Sequence, residues 1–62
     1  METNFKLMST RIRKGLKQWQ LANQVRIHES EYSRIETGRK KPNREIQLRI
    51  ADGLGVPVEE IF

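Results

Sequence analysis

The chain contains no cysteine, so neither a disulfide framework nor a thiolate zinc site can compensate for small size. It also lacks any apolar run near the roughly 18 residues of a membrane-spanning helix, and its N-terminus lacks the apolar stretch of a secretory signal. The expectation is a cytoplasmic, nucleoid-associated protein with no membrane partner. Histidine occurs once, at His28, and proline only twice. Aromatic residues make up 6%, too few for the exposed ladder on which single-stranded RNA bases stack.

These scarcities also weigh against catalysis. Glu29 and Glu31 are two positions apart and do not share a helix face as paired carboxylates would need to. His28, Ser30 and Glu31 are the residue types of hydrolytic chemistry, but one short helix cannot orient nucleophile, base and acid together. One histidine with local carboxylates is an ordinary surface combination and not a metal site. No enzyme activity, cofactor or metal is expected.

What is present is charge with a pattern. The 62 residues carry 12 Lys and Arg against 8 acidic residues, for a formal charge of +4. Residues 1–27 have a net charge of +5 and residues 39–44 one of +4, whereas residues 45–62 carry −3. Folded up, such a chain has a basic face and an acidic back, the footprint of a phosphate-binding module.

At this length there is room for one domain, 1–62, with a modest core. Met1 to Asn4 read as a short arm, with Thr3 or Asn4 as the cap of a helix running from Phe5 to about Lys14. Leu7, Arg11 and either Phe5 or Met8 would face inward. Gly15 supplies a position for positive φ, and Leu16 folds back over the helix end. Gln18 to Val25 form a second segment with Leu21, Ala22 and Val25 on one face. After a turn at Arg26 and Ile27, a third runs from about His28 to Glu36, with Tyr32 and Ile35 inward. Thr37 to Asn43 is a loop, and Asn43 caps a fourth helix, Arg44 to Gly53, with a buried stripe of Ile46, Ile50 and Leu54. Pro57 opens a fifth short helix ending near Phe62. The segments are too short to stand alone, so mutual packing must hold them.

The pair Gln18 to Val25 and His28 to Glu36 has the spacing at which a second helix projects into a major groove. Spacing alone leaves a packing-only pair equally open. The residues Leu16-Lys17-Gln18, Leu21-Ala22, Ser33-Arg34-Ile35-Glu36-Thr37-Gly38-Arg39-Lys40-Lys41-Pro42, Ile50-Ala51 and Leu54-Gly55-Val56 together resemble the phage-repressor and Cro-like helix-turn-helix family, the xenobiotic-response-element type of transcription regulator. The resemblance spans Leu7 to Phe62. It implies an all-α, compact five-helix lambda-repressor-like DNA-binding domain with the helix-turn-helix at about 18–36. The function it implies is sequence-specific regulation of transcription from double-stranded DNA, with repression the favoured direction.

The resemblance makes Glu29, Ser30 and Arg34, with Ser33 beside them, the candidate base readers. Arg34 suits guanine O6 and N7, Glu29 suits cytosine N4, and Ser30 suits several bases. Lys17, Gln18, Arg39, Lys41 and Arg44 are the candidate phosphate contacts, and Lys40 is expected to point elsewhere. The resemblance also implies a structural salt bridge between Arg11 and Glu36, in keeping with the need of an inward-facing Arg for a carboxylate. The implied partner is an inverted-repeat operator, bound by a weak homodimer or by a dimer formed on DNA. Val56, Val58, Ile61 and Phe62 are candidates for the dimer interface or for core coverage.

Several positions depart from the family pattern. Arg26 stands where the turn usually has Gly, and Ile27 and His28 replace the usual start of the third helix. Trp19 either covers the rim of the core or approaches sugar and phosphate. Arg44 and Gln47 replace commonly apolar residues. Residues 28–38 carry a net charge of −2, which keeps open a second reading: a protein-interaction adaptor or antitoxin-like regulatory partner on the same scaffold.

Overall fold

A computed structural model describes residues 2–62; of the N-terminal arm expected at 1–4, Met1 lies outside the described residues. Four α-helices follow one another, α1 (Phe5–Arg13), α2 (Gln18–Gln24), α3 (Glu29–Glu36) and α4 (Arg44–Leu54), and a single 3-10 turn, Val58–Glu60, ends the chain. The expected five-helix architecture is therefore corrected to four helices and one turn. Pro57 stays extended as the turn's N-cap instead of entering a helix. Val58 and Ile61 are both buried, and a repeat of three residues per turn puts positions i and i+3 on the same side. A longer α-helix is not needed to bury them.

Local chemistry sets the helix boundaries. The Asn4 side chain accepts from the Leu7 N–H at 3.0 Å, and Asn43 accepts from the Ile46 N–H at 2.9 Å, each satisfying a donor that the first turn leaves free. Asn4 does more than cap. Its N–H donates to the Glu36 carbonyl at 2.8 Å and its Nδ2 to the Ile61 carbonyl at 2.7 Å, which pins the start of α1 to the end of α3 and to the C-terminal turn.

All four helices end in the same way. Just past each helix, one N–H returns to the carbonyl five positions back: Leu16 to Arg11, Ile27 to Ala22, Arg39 to Arg34 and Val56 to Ala51. This closure requires a left-handed residue, usually glycine. Gly15, Gly38 and Gly55 take that place after α1, α3 and α4, but Arg26 takes it after α2, at φ 62°. A side chain there costs about 1 kcal/mol.

The core lies where α2 packs on both α3 and α4, with α1 against α3 and the 3-10 turn against α4. Leu7, Leu21, Ala22, Tyr32, Ile50 and Ile61 are fully buried at its centre. Of the α4 stripe, Ile50 and Leu54 are buried and Ile46 packs partly against them. Gly53 faces α2, where a Cβ would collide with Val25, so its missing side chain sets how closely the two helices approach. Phe5 does not turn inward: it is 70% exposed, and Leu7 alone among the apolar residues of α1 is buried.

Candidate nucleic-acid interface

One face of α3 is committed to the core through Tyr32, Ile35 and Glu36. The other leaves Glu29, Ser30 and Arg34 exposed and Ser33 half-buried. Spacings of three and four residues put these four on adjoining parts of one surface. The surface offers a guanidinium donor, two hydroxyls and a carboxylate acceptor, a mixed set that can tell base edges apart. Helix entry is not reinforced by a side chain, because His28 makes no capping hydrogen bond. The acids of the first turn, Glu29 and Glu31, compensate by facing the positive end of the helix.

Glu36 anchors the opposite end of this helix. Although fully buried, it accepts four hydrogen bonds: from Arg11 Nε at 2.9 Å and Arg11 Nη2 at 3.0 Å, from Gln18 Nε2 at 3.0 Å, and from the Tyr32 hydroxyl at 2.6 Å. Arg11 Nη1 also donates to the Leu16 carbonyl at 2.7 Å. One carboxylate thus ties α1, the α1–α2 loop and the start of α2 to the end of α3. Burial pushes its pKa upward, but the hydrogen bonds from Arg11, Tyr32 and Gln18 outweigh burial and hold it below the ordinary value. The Tyr32 phenol is driven well above its usual range, chiefly by burial and then by its bond to Glu36, so it remains a donor at any physiological pH. Arg11 is shifted upward by its hydrogen bond to Glu36.

Gln18 and Tyr32 escaped the sequence reading as partners of Glu36. The four-residue spacing of Tyr32 and Glu36 on one helix was an available signal. Gln18 has no such local signal; its bond to Glu36 uses one of the two N–H donors of its side-chain amide.

Lys17, Arg39, Lys41 and Arg44 are exposed, and none belongs to an ion pair among the described residues. Lys40 differs from its neighbours: its Nζ lies 2.7 Å from Glu31 Oε2. That hydrogen bond holds the Glu31 carboxyl below its ordinary range and fastens the basic loop to α3. Two of the three acids on α3 are therefore matched within the chain, Glu36 by Arg11 and Glu31 by Lys40, and Glu29 alone is left exposed without an ion pair among the described residues.

Among the remaining candidates, Val58 and Ile61 are buried within the protomer, Val56 is half-buried and Phe62 is 37% exposed. Only Val56 and Phe62 retain surface for a second copy, because closing the core below α4 consumes the other two. Trp19 is 48% exposed. Gln47 is half-buried and donates to the Pro42 carbonyl at 3.5 Å, while Arg44 stays in solvent, so neither departure disturbs the α4 stripe. Among the described residues, no group of three or more acidic or histidine side chains is placed to hold a metal, and no helix is long and apolar enough to cross a membrane.

A family model described as a helix-turn-helix domain matches residues 6–61, nearly the whole chain. No curated protein matches, and no solved structure does. The family match is consistent with a DNA-binding regulatory role in general and with a non-enzymatic protein.

Proposed function

We propose that this chain, which belongs to the helix-turn-helix domain family, is a sequence-specific regulator of transcription that inserts α3 into the major groove of double-stranded DNA. The reading treats residues 1–62 as one such domain, with the helix-turn-helix at about 18–36. Glu29, Ser30 and Arg34, with Ser33 beside them, read base edges. Lys17, Gln18 through its amide and the free N–H groups of the α2 start, Arg39, Lys41 and Arg44 hold phosphates on either side. The finer likeness to phage-repressor and Cro-like proteins makes repression through an inverted-repeat operator the favoured mode. A dimer would form weakly, or on DNA.

The observation that carries the reading is the division of labour on α3. A buried four-bond anchor at Glu36 fixes the helix, while its exposed face is polar and is flanked by cations with no acidic partner. Such an arrangement orients a reading helix without using its outward side chains. A second reading, a protein-interaction adaptor, draws support from Phe5 and Ile12, which are 70% and 58% exposed on α1.

Selection from a random duplex library, with Arg34→Ala as the matched comparison, tests the proposal. A short inverted repeat that the substitution loses or relaxes is the expected result. No enriched motif at either low or physiological salt overturns the DNA reading in favour of the adaptor.

A further inference from the structure

The four helix ends allow an internal comparison. Three close on glycine, and α2 closes in the same geometry on Arg26. The fold gains nothing visible from that side chain. Arg26 is exposed, joins no ion pair among the described residues, and contributes to the tertiary structure only its carbonyl, which accepts from Arg49 Nη1 at 3.4 Å. Any residue would supply that carbonyl. An unfavourable backbone conformation kept for an unused charged side chain is a mark of function outside the chain.

Its position says what that function is. Arg26 lines an open, polar groove of about 300 Å³ together with Asn23, His28 and Glu29, directly beside the entry of α3, where the proposed base readers begin. A left-handed residue at a helix end holds its side chain on a tight turn and not on a frayed loop, so the guanidinium is presented from a fixed base.

We infer that Arg26 contacts a backbone phosphate of the duplex beside the entry of α3 and helps set the register in which Glu29 and Ser30 meet the bases. The inference rests on the DNA-reading proposal above. A phosphate contact of this kind weakens all sequences alike when removed and lowers the salt dependence by about one ion.

The test measures duplex affinity against salt for the unaltered protein, Arg26→Gly and Arg26→Lys, on the selected operator and on single-mismatch duplexes, with thermal melting of each protein. Arg26→Gly is expected to melt higher, because glycine relieves the left-handed strain, and yet to bind more weakly. The logarithmic salt slope should fall by about one unit per bound subunit, so on an operator holding two copies the gap from the unaltered protein narrows about twelvefold between 50 and 200 mM salt. Arg26→Lys should restore the slope. An unchanged slope and affinity in Arg26→Gly overturn the inference while leaving the DNA reading standing, as does a loss confined to one base position. Absence of duplex binding by the unaltered protein at low salt overturns the DNA reading itself, and the inference with it.

Discussion

Arg11 and Glu36 meet through two parallel hydrogen bonds, Nε to Oε2 at 2.9 Å and Nη2 to Oε1 at 3.0 Å, across 25 positions of sequence. The pair is nearly dry, with the two side chains 12% and 1% exposed. Removing one partner of such a pair leaves the other charged and stranded, which typically costs 3 to 5 kcal/mol, roughly. Arg11→Ala should therefore lose most of the stability of so small a domain. Tyr32→Phe removes one of four bonds to the same carboxylate and should cost about 1 to 2 kcal/mol. Urea titrations of both variants check the order; equal losses would mean that the tyrosine bond holds the site as firmly as the arginine pair.

The same carboxylate sets an acid limit. Its folded-state pKa lies below the ordinary 4.5, so between the two values the unfolded chain binds more protons and stability rises with pH. The contribution is complete above about pH 5 and is lost as pH falls through the folded pKa. Glu36→Gln should be less stable than the unaltered protein at neutral pH but lose less on acidification below 4.5. Urea midpoints measured from pH 7 to pH 2 should converge for the two proteins, and parallel curves would exclude Glu36 as the titrating group.

How far the architecture was legible follows from where its determinants lie. Asn43, the α4 stripe of Ile50 and Leu54, and the glycine closures act through neighbours in sequence, so their residue types betray them. The C-terminal turn did not announce its pitch, because Val58 and Ile61 can share a face in either an α or a 3-10 turn. The bonds from Gln18 to Glu36 and from Lys40 to Glu31 join residues that only the packed helices bring together. The exposed face of α3 follows from burying Tyr32 and Ile35. What that face reads is a matter of partner chemistry that no internal contact encodes.

Two glycines separate backbone strain from crowding. At Gly38, φ is 80° and an added Cβ would collide with the backbone of Glu2; the left-handed conformation and the need to displace that backbone both oppose Gly38→Ala, for a loss of about 2 kcal/mol. At Gly53, alanine favours the helix by about 1 kcal/mol, but the new Cβ meets Val25, a branched side chain that is 3% exposed and has little room to turn. Overpacking of this kind costs about 1 to 3 kcal/mol, so Gly53→Ala should be neutral to destabilising. Thermal melting decides between them, and a gain in Gly53→Ala would mean that α2 and α4 can separate at little cost.

The bond between Lys40 and Glu31 leads to a prediction about discrimination. At 2.7 Å it withholds one cation from the basic loop and places a carboxylate on the reading helix, near where phosphates would pass. If α3 enters DNA as proposed, Glu31→Gln both removes that repulsion and frees Lys40 for a phosphate. Binding to unrelated duplex should then tighten, and its logarithmic salt slope should steepen by about one unit. Affinity for the selected operator should change less, because its register is already fixed by base contacts, and the ratio of specific to non-specific binding should fall. Titrations of both duplexes across a salt series check this. A Glu31→Gln protein with the original slope on unrelated DNA would mean that Lys40 faces away from the duplex even when released, and that the bond serves only to hold the loop against α3.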